Sequence, residues 1–280
     1  MGKGSTPGDL TCTVSVNCVS IDTVNWIDIP LRLNKEAPSR EMQIADVSQK
    51  DRSNICIYRI NTNLDSAVLE GFEALLTADE SERANRYHNK KDHDRFIISR
   101  GSLRALLGKH LNVSPGGLKF QKTPDKKPFL EGHSGIHFNV SHAGDWILIG
   151  LAYEPIGVDI EFIKPGFDFR DIMAFTFTDR ELEAVKCSHQ PTETFYQIWS
   201  RKEALLKGTG KGIANGTASI CCLDGHNAVS SYQIGSTQDW QVKSFVVEAG
   251  YIGNIAVSAN HLLEILMLNI HINASVGGSL

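Results

Sequence analysis

The sequence predicts an α+β fold built from two similar halves, and three observations carry that prediction. A Thr-x-x-Glu capping signal occurs at Thr77 to Glu80 and again at Thr178 to Glu181. Such a signal marks a helix start, because the threonine accepts from an orphan N–H while the glutamate reaches back to the cap residue. Each signal is followed by a helical stretch containing Ala-Leu-Leu, at residues 105 to 107 and 204 to 206, with threonine-to-alanine separations of 28 and 26 residues. Between the two copies, residues 136 to 161 alternate in the manner of successive strands. Two copies of one unit place a ligand site between them.

Taken in order, residues 1 to 50 mix Gly, Ser, Thr, Asn and charges without sustained periodicity, which reads as a loosely structured extension with room for one strand and no ligand pattern. The match of Met1-Gly2 and Thr6 to a myristoylation signal is read as chance among abundant Gly and Ser. Ile55 to Ile60 reads as a strand, Leu64 to Leu76 as an amphipathic helix, Thr77 to Tyr87 as a polar helix and Arg95 to Leu111 as a second one. Ile136, Phe138 and Val140 face one way and His137, Asn139 and Ser141 the other. Trp146 to Tyr153 and Ile156 to Glu161 follow as strands, and Phe195 to Lys207 as the long helix of the second half. The expected division is an extension (1–50), a first lobe (51–152), a second lobe (153–262) and a tail (263–280).

Composition narrows the function. With 280 residues, 41% hydrophobic and 21% charged, the chain has the makeup of an ordinary globular protein rather than a disordered one. A net charge of −4 argues against general nucleic-acid binding, so any anion site has to be local. The six cysteines lack C-x-x-C spacing, which points to a reduced, cytoplasmic setting. The C-terminal stretch from Leu262 to Leu268 is too short to span a bilayer and contains Glu264, so no membrane association is expected.

Asp159 and Glu161 lie two apart on a strand and so share a face, about 6–7 Å apart, where they can hold one hard cation. An exposed polar strand face is the alternative. In Trp199-Ser200-Arg201-Lys202-Glu203-Ala204-Leu205-Leu206-Lys207, helical geometry puts Lys202 near the centre of the apolar arc and Glu203 at its edge. A buried charge without a partner costs several kcal/mol, and a metal with a bound phosphate would satisfy both groups. A snorkelling lysine with a Glu203–Lys207 pair is the plainer reading. Gly208-Thr209-Gly210-Lys211-Gly212 follows its helix rather than preceding one, so it reads as a C-terminal cap, not a phosphate loop. Twelve Lys or Arg but only three acidic residues lie between Arg83 and Lys127, among them Arg86, Lys90, Lys91, Arg95, Arg100 and Arg104, which suits a polyanion or a solvated basic face. Ser141-His142 has no G-x-S-x-G setting and its side chains point to opposite faces, so a hydrolase reading falls and phosphate binding is preferred.

These segments together resemble the 4'-phosphopantetheinyl transferase superfamily, in its two-lobed surfactin-type branch. The resemblance rests on Lys127-Pro128 with Phe138-Asn139-Val140-Ser141-His142, on Gly157-Val158-Asp159-Ile160-Glu161, and on Trp199 to Lys207 with its glycine tail, and it covers about residues 55 to 260. It implies a pseudo-twofold monomer with coenzyme A and Mg2+ in the cleft. Asp159, Glu161 and Glu203 would be the metal ligands, and Lys202 and Lys207 would hold the pyrophosphate. Arg95, Ser141 and His142 would take the 3'-phosphate end, with Arg86, Lys90 and Lys127 nearby. Ile160 stands where some relatives carry a third acid, which affects the expected metal coordination. The implied reaction moves the phosphopantetheine arm onto a serine of an acyl or peptidyl carrier protein, with Lys202 and Glu203 as the catalytic pair. Glu203 or a water would take the serine proton. The alternatives are a non-catalytic coenzyme A or carrier-binding module and an ATP-dependent phosphotransferase. Fatty-acid, polyketide, nonribosomal-peptide and heterocyst-glycolipid pathways all use such carriers, and the residues select none.

Overall fold

A computed structural model describes residues 22–31, 33, 54–211, 217–223, 228–234, 236, 238–258 and 264–272. The Met1-Gly2 signal, the rest of the extension and the end of the tail lie outside the described residues. The first lobe runs β2 (Asn54–Asn61), α1 (Ser66–Glu73), α2 (Ala78–Asn85), α3 (Lys90–Leu111), the hairpin β3 (Phe120–Lys122) and β4 (Pro128–Leu130), then β5 (His137–Ala143) and β6 (Trp146–Ala152). The second repeats the plan with β7 (Ile156–Phe162), α4 (Arg170–Thr176), α5 (Asp179–Cys187), α6 (Pro191–Thr209), β8 (Ala228–Val229), α7 (Ser231–Ile234), β9 (Trp240–Glu248) and β10 (Tyr251–Ser258). Both capping boxes form, at Thr77 with Glu80 and at Thr178 with Glu181. The expectation of two similar α+β lobes holds.

Two strands come from segments that the sequence pattern left outside both lobes. β1 (Ile27–Leu31) and β11 (Glu264–Ile272) join the first sheet, whose order is β1-β11-β2-β6-β5. β11 runs parallel to both β1 and β2, so the chain crosses back from the second lobe to complete the sheet of the first. Ahead of β1, Asp22 bonds to the backbone of Ser244 and Val246 in the second lobe, and Trp26 packs edge-on against Phe245. Residues 22 to 31 of the extension are thus stitched to both lobes. The second sheet has the order β7-β10-β9-β8.

Alternation along the central strands builds the layers. On β2, Cys56, Tyr58 and Ile60 pack under the helices of the first lobe, while Ile55 and Ile57 turn to the opposite face and meet Val158 and Ile160 of β7 and Phe245, Ile255 and Val257 beyond. Both faces of β2 are buried over Ile55 to Tyr58 and at Ile60, which is why those positions are apolar without alternation. β7 alternates too. Val158 and Ile160 enter this shared apolar layer, which leaves Gly157, Asp159 and Glu161 for the face against α6. No helix among the described residues is long and apolar enough to cross a membrane.

Candidate active site between the lobes

The seam between β5 and β7 explains the polar face of β5. No ladder joins these strands, yet Asn139 Oδ1 accepts from the Val158 amide at 2.8 Å and Ser141 Oγ from the Ile160 amide at 3.4 Å. Both side chains are buried and stand in for backbone carbonyls, satisfying donors that would otherwise be orphaned. Polar alternation on β5 therefore marks a lobe junction, not a solvated face.

On the other side, α6 lies close against β7. A Cβ on Gly157 would run into the carbonyl of Ala204 and the backbone of Gly208, so this approach needs glycine. Lys127, held out by the β3–β4 hairpin, donates to the carbonyls of Gly208 and, at 3.2 Å, Ile156, and so brackets the same junction. Burial lowers its ammonium to about 8. Past the bracket, α6 ends on Gly210 in the left-handed region, the cap that the glycine tail predicted.

Asp159 sits at the centre of the junction, 2% exposed. Its Oδ1 accepts from Ser141 Oγ at 3.0 Å and pairs with Lys207 Nζ at 2.5 Å, and its Oδ2 accepts from Ser200 Oγ at 2.7 Å. Lys207 also donates to Ser141 Oγ at 2.9 Å. Glu161 accepts from the Trp199 indole at 3.1 Å. Burial, and then the charge of Asp159, push Glu161 up to about 7. The same two causes in the same order raise Glu203, and Lys207 pulls it partly back. Three acids that feel one another and one ammonium thus share this face.

The sequence expectations fare unevenly. Among the described residues, no group of three His, Cys, Asp or Glu side chains is arranged to hold a metal ion. Asp159, Glu161 and Glu203 are brought to one face but not gathered around one point, and Lys207 stands on the Asp159 oxygen. The donor chemistry still suits a hard cation, since mutual repulsion among these carboxylates is what a divalent ion would relieve.

Lys202 requires a correction. Expected against a pyrophosphate, it is 3% exposed, with its three donors spent on Glu181 at 2.8 Å and on the carbonyls of Thr217 at 2.9 Å and Ile220 at 2.6 Å. The apolar arc of α6 correctly buries it, but the partner is Glu181, which the sequence marked only as a capping residue. Ser141 is corrected likewise. One hydroxyl donor and two acceptor positions are all it has, and Asp159, Ile160 and Lys207 use them, so its side chain holds Asp159 rather than awaiting a phosphate. Lys127 uses two of its three donors on carbonyls of the junction and keeps one.

The other anion candidates differ in burial and partners. Arg86 and Lys90 are exposed, and Lys90 pairs with Asp94 at 2.5 Å, a surface contact of little worth that a ligand can displace. Arg95, half-buried and paired with Asp92, lies close enough to His142 for its charge to act there. Crowding by protein atoms, and then Arg95, lower His142 from the usual histidine value. Arg100 and Arg104 instead turn inward, both onto Glu80.

The chain is similar in sequence to known proteins. Residues 155–259 match the family described as the 4'-phosphopantetheinyl transferase superfamily, and residues 65–154 match the one described as 4'-phosphopantetheinyl transferase, N-terminal. The chain is 36% identical to the 4'-phosphopantetheinyl transferase HetI of Nostoc sp. over 56% of its own length and 69% of the relative's. It is 33% identical to a 4'-phosphopantetheinyl transferase of Bacillus subtilis over 55% of its length and 74% of that protein's. To the 4'-phosphopantetheinyl transferase Sfp of Bacillus subtilis it is 28% identical, over 69% of this chain and 85% of the relative.

Proposed function

The chain belongs to the 4'-phosphopantetheinyl transferase superfamily and is a phosphopantetheinyl transferase, and from that premise we propose that the β7–α6 junction is where coenzyme A gives up its arm. The acceptor in this reading is a serine of an acyl or peptidyl carrier protein, and the second product is 3',5'-adenosine bisphosphate. The observation that carries it is the placing of Asp159, Glu161, Glu203 and Lys207 on one face at the lobe seam, with Arg95 and His142 close enough for their charges to be felt there.

The serine oxygen bonds to the β-phosphorus of coenzyme A while the bridging phosphoanhydride bond breaks, and the electron pair leaves with the bisphosphate. Mg2+, held by Asp159, Glu161 and Glu203, would neutralise charge on the pyrophosphate. Lys207, on a flexible stem beside Asp159, is placed to neutralise charge on the departing phosphate oxygens. Glu203, on the same face as Asp159 and Lys207, takes the serine proton, directly or through a water. Arg95, His142, Arg86 and Lys90 receive the 3'-phosphate. Ser141 and Ser200 keep Asp159 aimed. We further read the protein as a cytoplasmic monomer. Two lobes in one chain already meet at the junction, and the cysteines at 56, 187, 221 and 222 are free thiols.

The test incubates the protein with an apo carrier and coenzyme A, with and without Mg2+, and weighs the carrier by mass spectrometry. A mass gain equal to phosphopantetheine that EDTA abolishes and Mg2+ restores is expected, and Asp159→Ala should remove it. No gain with any carrier, alongside measurable coenzyme A binding, would favour a binding module. A gain only with ATP would mean a different phosphotransferase.

A further inference from the structure

Glu181 and Lys202 form a buried unit that recurs in the first lobe. Glu181 is fully buried. Its Oε2 accepts from the Thr178 amide at 2.7 Å and from Lys202, and its Oε1 accepts from the Cys222 amide at 2.8 Å. In the first lobe Glu80 Oε2 accepts from the Thr77 amide at 3.1 Å, and Arg104 grips the carboxylate at 2.7 Å through Nε and 3.0 Å through Nη2. Arg104 Nη1 then donates to the carbonyls of Pro115 at 2.7 Å and Leu118 at 3.1 Å, flanking the 3₁₀ turn Pro115–Gly117. Lys202 donates in the same way to Thr217 and Ile220, flanking the 3₁₀ turn Thr217–Ser219. A capping glutamate, a buried cation on the long helix and two carbonyls of a following turn thus occur twice in one chain.

In the first lobe this unit only locks α3 to its turn. In the second, the helix it locks also carries Ser200 two residues before the lysine, Glu203 one after and Lys207 five after, and all three act on or beside Asp159. A helix turns about 100° per residue, so a small rotation of α6 would swing those groups off the acid. We propose that Lys202 is a positioning residue. Acting through Glu181 and the carbonyls of Thr217 and Ile220, it fixes the rotation of α6 that aims Ser200, Glu203 and Lys207, and it does not contact the pyrophosphate. This rests on the transferase reading given above.

The test compares Lys202→Met, Glu181→Gln, their double variant and Lys202→Arg. The readouts are kcat and KM for coenzyme A in carrier transfer, calorimetric affinity for coenzyme A, and denaturant midpoints. Glu181 is too buried to touch substrate, so a shared role predicts shared losses. Both single variants should lose about 10- to 100-fold in kcat with KM within about threefold, and the double variant should be no worse than Lys202→Met. Lys202→Arg should stay within a few fold of wild type, because arginine fills this place in the first lobe. Coenzyme A affinity falling tenfold or more in Lys202→Met but not in Glu181→Gln would overturn the proposal, as would normal kcat in both. If Lys202→Met does not fold, an inactive but folded Lys202→Arg, or an inactive double variant beside an active Glu181→Gln, overturns it equally. Failure of the wild type to transfer would count against the transferase reading alone, since coenzyme A affinity and the stability coupling between residues 181 and 202 remain measurable.

Discussion

Helices α3 and α6 occupy equivalent places and carry equivalent buried ion pairs, yet only α6 overlooks acids. The first lobe uses Arg104, whose fork binds Glu80 twice and leaves a third nitrogen for two carbonyls. The second lobe makes do with Lys202, a point charge with three donors, on Glu181 and two carbonyls. Two residues before each cation stands a fully buried serine. Ser200 Oγ donates to Asp159, whereas Ser102 Oγ finds no hydrogen-bond partner among the described residues. The comparison separates scaffold from chemistry. What both lobes share holds a long helix in place, and what only the second has, Asp159 and Glu161 on β7 with Glu203 and Lys207 on α6, is the site proposed above.

The largest effect should come from the close backbone approach of helix to strand at Gly157 in the second lobe. α3 uses its glycines elsewhere, Gly101 against Phe72 and Gly108 against Val113 and Pro115, whereas Gly157 lets α6 rest directly on β7. Gly157→Ala places a methyl group inside the backbone of α6, which has no flexible side chain to give way. Overpacking of this kind costs about 3 kcal/mol or more, and the helix that yields carries the site. Transfer should fall to background with a clear drop in the unfolding midpoint. Near-normal activity would mean that the close approach does not set the site.

How much of this was legible depends on range. The capping boxes are signals spaced three residues apart, and the shared face of Asp159 and Glu161 follows from strand period, so both appear in the sequence without knowledge of the fold. Long-range pairing does not. Nothing local says that the strand from Glu264 to Ile272 returns to lie parallel to a strand some 200 residues earlier, between β1 and β2. The apolar arc around Lys202 gave its burial but not its partner, because Glu181 lies on another helix and looked fully employed as a cap. The Ala-Leu-Leu triplets suggested the repeat, yet they are one residue out of step with the true counterparts, Arg104 and Lys202. For Asn139 and Ser141, strand alternation gave the shared face but not its partner, because the neighbouring strand that they satisfy belongs to the other lobe.

A middle-sized effect should distinguish the lobes by pH. In the first lobe Tyr58 and His110 are hydrogen-bonded at 2.6 Å beneath α3, and burial, followed by the charge of Lys109, lowers His110 to about 4. The unfolded chain binds a proton there near pH 6.5 and the folded chain only near 4, so the folded state holds fewer protons across that window. Stability from this group is present above pH 6.5 and is lost as pH falls toward 4, by about 2–3 kcal/mol. His110→Gln keeps a partner for Tyr58 and removes the titration. Its denaturant midpoint should fall less than that of wild type between pH 7 and 4.5, and parallel falls would place the acid sensitivity elsewhere.

The smallest effect is the most discriminating, because it gives the two buried serines different outcomes. Ser200→Ala deletes one of the hydrogen bonds that aim Asp159, and a bond to a charged group is worth about 1.5–3 kcal/mol. Part of that loss should appear as a kcat about tenfold lower, with coenzyme A affinity near normal. Ser102→Ala deletes a buried hydroxyl that has no partner among the described residues, so no bond is broken and the cost of burying an unsatisfied polar group disappears. Its stability should be unchanged or higher by about 1 kcal/mol, and its transfer rate should equal that of wild type. Steady-state transfer and urea midpoints on the two variants decide the matter. If Ser102→Ala destabilises as much as Ser200→Ala, the first lobe uses its serine after all; if Ser200→Ala transfers at the full rate, the hydroxyl does not aim the acid.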